Sequence, residues 1–415
     1  MKKQTPKRKI LIFIDWFLPG YKAGGPVRSM ANMVEYLKDD YAFYIVTRNT
    51  DYTETTPYTG IESNTWVDFS PHVKVFYADE AHQDKKNYRN LIREMNPNAV
   101  YINGVYSWKF SILPLMVAKK AGAHQVIVAA RGMLAASAID VKEGKKKLFL
   151  RLARLADLYK NTVFHATNEK EKQDIKDSLG KNIRIKIADN LPKSKLPAIK
   201  PIAKQRGNLR LVSLARIAPE KNTLFALEQL AGLGHVAGNI TFHLYGQVYN
   251  ESYWQQCQTV MAQLPDNIQV EHMGTVDADL VGETIQQYHA LYLPTRGENF
   301  GHVILESLSA GRPVLISDQT PWRGLINEKA GWDISLELKS GKVDELNVES
   351  ASRVQCPMSG VRGPESESSA WCAVIRTLLE MEREEFDSWC TGARNRAEAF
   401  VYNPALKEAY RKLFD

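Results

Sequence analysis

The chain has no long apolar run. Stretches such as FSILPLMVA, residues 110–118, fall well short of the roughly 18 residues that a membrane-spanning helix needs. The basic start MKKQTPKRK passes straight into a strand-like segment, so neither a spanning anchor nor a signal peptide is expected. Cysteine is scarce: Cys257, Cys356, Cys372 and Cys390 show no C-x-x-C spacing and no companion histidine pattern. That excludes a zinc or redox motif and leaves reduced structural thiols. IFIDWFLPGYKAGGP, after the first strand, lacks G-x-G-x-x-G, which argues against a dinucleotide-dependent dehydrogenase. No RNP, helix-turn-helix or zinc-finger pattern occurs, and basic residues do not interleave with aromatics, so nucleic acid is not an expected partner.

What is present describes a folded, cytoplasmic protein. At 415 residues the chain exceeds the size at which a single core stops growing, so two domains are expected. The 54 basic residues against 47 acidic, net +7, favour anionic partners. From Lys9 to Asp189 the runs KILIFID, YAFYIVTR, HVKVFYA, AVYING, QVIVAAR, TVFHAT and IRIKIAD alternate with helix-period segments, the pattern of a parallel sheet. LRLVSLA, NITFHLYG, IQVEHMG, ALYLPT and PVLIS form a second such series. The division expected is residues 1–190, a linker at 191–207 rich in Pro and Lys, 208–390, and C-terminal helices at 391–415 that return to the first domain. NTDYTETTPYTGIESNTWVDFS, residues 49–70, reads as a long surface excursion, either near a site or decorative, the decorative reading being preferred. Residues 340–369 break both periods, and no function is assigned to them.

Strand-to-helix junctions are where ligands sit in such sheets. After LRLVSLA comes RIAPEKN, placing Arg216 and Lys221 at a strand exit and the next helix start, an arrangement suited to a diphosphate, although taken alone the motif reads as a solvated pair flanking a helix. After ALYLPT comes RGENFGHVILESLSAG, with a helix predicted from about Asn299 to Ala310. Glu298 then stands at the helix entrance and Glu306 about two turns on, on the order of 10 Å away at roughly 1.5 Å per residue. A nucleotide sugar has that length. Carboxylates accept hydrogen bonds from vicinal hydroxyls, while the amides of Asn299, Phe300 and Gly301 would face phosphates. Glu298 as a mere complement to the helix dipole is the bland alternative; for Glu306 the apolar setting argues against simple solvation. A third junction, Met273 to Val276, would place backbone against the base. The D-x-D at Asp277 and Asp279 is read as helix capping and not as a metal site.

These segments resemble the retaining GT-B glycosyltransferases of family 4. The likeness rests on RIAPEKN, on Glu298-x7-Glu306 within GENFGHVILESLSAGRPVLIS, and on the glycine-bearing loop DWFLPGYKAGGPVRSM. It implies an α/β fold of GT-B architecture, two Rossmann-like doubly wound domains facing across a cleft. The first would bind the acceptor and the second the nucleotide sugar. Carried over by position, Glu298 would hold donor hexose hydroxyls, Glu306 the ribose, and Arg216 and Lys221 the diphosphate. Gly24 and Gly25 would let the first loop approach phosphates or acceptor. Many relatives have a histidine where this chain has Arg131 and Gly132, so Arg131 becomes a candidate acceptor-loop contact, while His165 is expected to be structural. The implied activity is a metal-independent transfer from a nucleotide-diphosphate sugar, a UDP-sugar in preference to GDP-mannose, to a lipid-linked saccharide acceptor in surface polysaccharide synthesis. No cofactor is implied. A GT-B-shaped epimerase and an inactive nucleotide-sugar scaffold are the alternatives.

KEGKKKLFLRLARLADLYKN, residues 142–161, puts Leu148, Leu152, Leu155 and Tyr159 near one face of a basic helix. Such a helix either lies on an anionic membrane surface or turns that face to the core.

Overall fold

The β-branched and aromatic runs assemble into two sheets, parallel except for one antiparallel edge strand in the first. The computed structural model describes residues 6–135, 143–277, 279–336 and 369–415. The chain divides into two compact units, residues 1–196 with 399–415, and residues 197–398.

The first unit contains β1 (Arg8–Phe13), α1 (Gly25–Leu37), β2 (Tyr41–Arg48), β3 (Trp66–Ser70), β4 (Val73–Ala78), α2 (Lys85–Met95), β5 (Ala99–Asn103), α3 (Leu113–Lys120), β6 (Val126–Ala129), α4 (Glu143–Leu155), β7 (Val163–Ala166), α5 (Glu169–Leu179) and β8 (Arg184–Ile187). The sheet order is β3-β4-β2-β1-β5-β6-β7-β8. Successive side chains of β1 alternate between two cores: Leu11 and Phe13 pack with Tyr88, Leu115, Leu150 and Ile175, whereas Ile10 and Ile12 pack with Met30, Val34, Leu406 and Tyr410. A sheet covered on both faces explains why its strands are continuous apolar runs.

Residues 49–70 are not wholly a loop. Their end forms β3, antiparallel to β4, because the Trp66 ring packs on Tyr44 and Phe76 with centroids 5.4 and 5.5 Å away. That anchor lies across the sheet and leaves no local period.

The second unit contains β9 (Asn208–Leu214), α6 (Thr223–Ala231), β10 (Asn239–Tyr245), α7 (Glu251–Met261), β11 (Ile268–His272), α8 (Val281–Ile285), β12 (Ala290–Leu293), α9 (His302–Ser309), β13 (Val314–Ser317), β14 (Gly331–Ile334), α10 (Ala370–Glu380) and most of α11 (Arg383–Val401). Its sheet order is β11-β10-β9-β12-β13-β14, parallel throughout. The four-residue β14, unforeseen in the sequence, is held by Trp332 stacked on Trp389 at 3.9 Å.

The expected linker is largely integrated into the second unit. Lys204 is 3% exposed and donates to the carbonyls of Gln205, Leu379 and Met381 at 2.9, 3.1 and 3.0 Å. Burial lowers its ammonium to about 8. Arg312, 1% exposed, reaches the Lys200 carbonyl at 2.6 Å and the Gln286 carbonyl at 2.9 Å. The last helix, α12 (Pro404–Phe414), belongs to the first unit. There Arg8 and Gln125 donate to its final carbonyls at Phe414 and Leu413, 2.9 and 3.1 Å. Of the C-terminal helices, α12 alone lies wholly in the first unit, since α11 crosses the division at residue 399. Residues 340–368, including Cys356, lie outside the described residues.

Candidate active site

In the second sheet the chain leaves β9 for β10 on one side and reaches β12 on the other. That reversal leaves a crevice beyond the carboxyl ends of the two strands. Both candidate motifs occupy it: β9 exits into residues 215–222, and β12 into residues 294–301.

The β9 exit continues the sheet pairing past the strand ends. The Ile217 amide donates to the Gln247 carbonyl at 3.0 Å, and the Tyr249 amide to the Ile217 carbonyl at 3.2 Å. This closeness requires Gly246, whose φ is 151°; a Cβ there would lie 1.9 Å from the Ala215 carbonyl oxygen. The pairing puts the Arg216 guanidinium over the Tyr249 ring, 5.0 Å from its centroid, and 3.1 Å from the Glu220 carboxylate. Lys221 closes the short turn Pro219–Lys221, and Asn222, at φ 61°, starts α6.

The β12 exit is bound to this loop. The Thr295 hydroxyl donates to the Glu220 carbonyl at 3.1 Å, the Arg296 amide to the same oxygen at 2.9 Å, and Arg296 Nε to Asn222 Oδ1 at 3.2 Å. The Glu298 amide donates to the Gln319 carbonyl at 3.1 Å. Held from both sides, Lys221 Nζ and Glu298 Oε1 stand 2.5 Å apart, their side chains 18% and 14% exposed. The fold thus brings together three predicted site residues: Arg216, Lys221 and Glu298. Tyr249 and Glu220 complete the arrangement. Tyr249 carries no signal in the sequence, because it enters from the neighbouring strand's loop.

The predicted helix start is corrected. The helix α9 begins at His302, after Gly301, so Glu298 lies in the preceding turn and the helical rise does not set its distance to Glu306. Asn299, Phe300 and Gly301 form that turn. Phe300 is 8% exposed and packs on Trp322, whose Nε1 donates to the Phe300 carbonyl at 2.6 Å. Gly301, at φ 78°, lies in the left-handed region that favours glycine. Glu306 is half-buried on α9 between buried Leu305 and Ser307. Val276 is half-buried against Val281, Ile285 and Ala310, beside Leu214 and Val303, which sets the loop after β11 close to α9. Asp277 and Asp279 do not cap α8. Its cap is Leu280, with no side-chain bond.

Gly24 and Gly25 are in the first unit, exposed at the start of α1. Arg131, also in the first unit, is committed to the protein. Its Nε donates to Asn103 Oδ1 at 2.9 Å, Nη1 to Asn190 Oδ1 at 2.5 Å and Nη2 to the Tyr101 hydroxyl at 2.8 Å. That hydroxyl lies 2.7 Å from His165 Nδ1, and His165 Nε2 lies 2.7 Å from the Ala188 carbonyl. A carbonyl only accepts, so the proton is on Nε2, and Nδ1 accepts from Tyr101. Burial, with the nearby Arg131 charge, lowers the imidazole to about 3. His165 is therefore a neutral structural group.

Residues 194–335 match the model of the family glycosyl transferases group 1. The matched stretch contains Arg216, Lys221, Glu298 and Glu306, and a glycosyltransferase is the enzyme class it supports. No curated protein sequence matches the chain. Solved structures share its fold over nearly the whole length. Sucrose-phosphate synthase from Thermosynechococcus elongatus has a TM-score of 0.67 at 14% identity, covering 99% of each chain. HepE of Anabaena, determined with UDP and glucose, has a TM-score of 0.64 at 14% identity, with 98% of this chain and 99% of that one covered. WaaG, a glycosyltransferase involved in lipopolysaccharide biosynthesis, has a TM-score of 0.58 at 15% identity over 98% of each. The fold of this glycosyltransferase-like chain is thus the α/β GT-B one, with two Rossmann-like units.

Proposed function

We propose that the protein is a retaining, metal-independent hexosyltransferase of family 4. It takes a UDP-sugar, in preference to GDP-mannose, and glycosylates a lipid-linked saccharide in surface polysaccharide synthesis at the inner face of the cell membrane. The observation that carries this reading is the Lys221–Glu298 pair at the switch point of the second sheet, with Arg216 on the adjoining loop. The complexes of the HepE fold relative with UDP and glucose supply the analogy for the donor.

In this reading the donor C1 to phosphate-oxygen bond breaks as the acceptor hydroxyl forms a bond to C1 on the same face. The acceptor proton passes to the departing diphosphate. Negative charge grows on that diphosphate, so cations beside it stabilise the transition state more than the ground state. Lys221 already stands in place, held by Glu298, and Arg216 is held by Glu220 and Tyr249. Such preorganisation removes the cost of recruiting a charge during the step. Glu298 takes donor hexose hydroxyls and Glu306 the ribose. The turn of Asn299, Phe300 and Gly301, together with the Val276 loop, shapes the donor site. Gly24 and Gly25 admit the phosphates or acceptor. Arg131, each of whose guanidinium nitrogens donates to a side chain of the first unit, has a positioning duty there.

The test is calorimetric titration of the protein with UDP, GDP and ADP, with and without magnesium, followed by Glu306→Ala. The expected result is metal-independent UDP binding that Glu306→Ala weakens about tenfold or more, the scale of a lost charge-assisted hydrogen bond. Equal binding of the three diphosphates, or an unchanged affinity in Glu306→Ala, would overturn the donor assignment.

A further inference from the structure

The basic helix α4 does not turn its leucine stripe to the core. Leu148, Leu152 and Leu155 are 57%, 54% and 77% exposed, whereas Leu150 and Ala153 on the opposite side are buried at 6% and 5%, as is Tyr159 beyond the helix at 5%. The expectation that Tyr159 shares the leucine face is corrected, because the helix ends at Leu155 and the chain turns before Tyr159. At 100° per residue the three leucines occupy one stripe, flanked by Lys145 on one side and Arg151 on the other. Both cations are exposed. A surface helix normally buries one apolar stripe and leaves its outer face polar. This one carries a second apolar stripe on the outside, bordered by positive charge.

The surroundings extend the pattern. Phe149, at the edge of the buried side, packs on Tyr106 with centroids 5.6 Å apart, and Lys146 lies over the same Tyr106 ring at 5.6 Å. Two residues further along the chain stands Trp108, 58% exposed, a side chain favoured where an apolar medium meets water. Arg154 Nη2 donates to the Asp177 carbonyl at 2.7 Å, tying the end of α4 to α5, so the stripe is presented on a fixed element. No helix among the described residues is long and apolar enough to cross a membrane.

We infer that the outer face of α4 is a docking surface for an anionic phospholipid bilayer, with Leu148, Leu152 and Leu155 entering the interface and Lys145 and Arg151 meeting lipid phosphates. Charge complementarity selects this occupant: a purely apolar protein partner would leave the flanking cations desolvated without counter-charge. Three leucines on a positively bordered helix are the composition of an in-plane interfacial helix. The inference rests on α4 alone and holds whatever donor the second unit takes. It would bring the first unit to the surface at which a lipid-linked acceptor is found.

The test is co-sedimentation of the full chain with vesicles of phosphatidylcholine alone and of phosphatidylcholine with phosphatidylglycerol. Thermal melting serves as the control for folding. The wild type is expected to sediment with the phosphatidylglycerol vesicles and to lose that partition as salt rises. Leu148→Ser, Leu152→Ser and Leu155→Ser combined should lower the partition coefficient about tenfold or more with an unchanged melting temperature, since the replaced side chains are exposed. Lys145→Glu with Arg151→Glu should remove the preference for the anionic lipid. Leu152→Trp should retain binding. No partition of the wild type, or equal partition of the triple variant, would overturn the inference. A wild-type dimer that the triple variant dissolves without any effect on vesicles would overturn it too, assigning the face to a second copy of the chain.

Discussion

Acidification should weaken the first unit through His165. The imidazole is 1% exposed, accepts from Tyr101 at Nδ1 and donates to the Ala188 carbonyl from Nε2, at 2.7 Å each. Its folded value is about 3, against 6.5 for the free group. A depressed folded pKa means that the unfolded chain binds the proton first. The stabilising contribution is therefore complete above pH 6.5 and is lost progressively as pH falls toward 3. With those two values the loss between pH 7 and pH 5 is about 2 kcal/mol, a substantial part of the 5–15 kcal/mol typical of a domain. His165→Gln removes the titrating group. The assay is urea unfolding of both proteins at half-unit steps from pH 7 to pH 5, followed by tryptophan fluorescence and circular dichroism. The variant should be less stable at pH 7, because the relay from Arg131 through Tyr101 is broken, and the difference between the two proteins should shrink by about 2 kcal/mol by pH 5. A difference that is constant with pH would refute the neutral, buried assignment of this histidine.

Further outcomes follow from the second unit. Lys221→Ala should reduce kcat for donor-dependent transfer by roughly 100-fold to 1000-fold, the scale of one lost transition-state donor. In a double-mutant cycle with Glu298→Gln, the 2.5 Å contact should give a coupling of about 1–3 kcal/mol in donor binding; additive effects would separate the two residues functionally. Gly246→Ala should lower the melting temperature of the second unit, because its Cβ would fall 1.9 Å from the Ala215 oxygen at a φ of 151°. A loss of about 3 kcal/mol is expected from strain of this kind. An unchanged melting curve would show that the β9 and β10 exits are not held together as described.

Much of the architecture was written locally. Twelve strand runs that the sequence proposes are strands of the two sheets, since a strand buried on both faces has to be apolar along its length. The RIAPEKN and GENFG stretches were visible as strand exits for the same reason, and Gly301 is where a positive φ favours glycine. Strands β3 and β14 were not legible, because each is seated by a tryptophan whose ring partner, Tyr44 for Trp66 and Trp389 for Trp332, lies on another element. Nor could the fate of the first-domain cation be read: Arg131 is a charged residue after a strand, and only its placement beside Asn103, Asn190 and Tyr101 shows that each guanidinium nitrogen already donates to a side chain of its own unit.

The helix at 143–155 separates the two levels most clearly. Periodicity established that it is amphipathic and basic, but a period has no absolute phase with respect to the rest of the protein. It defines a stripe without saying which way that stripe faces. Packing of Leu150 and Ala153 into the first core set that phase and left Leu148, Leu152 and Leu155 outside. In the same way the sequence by itself determined that a lysine and a glutamate stand at two strand exits. Only the strand order, with β9 beside β12, decided that they meet, because sheet neighbours are chosen by the packing of the whole unit and not by the residues at either exit.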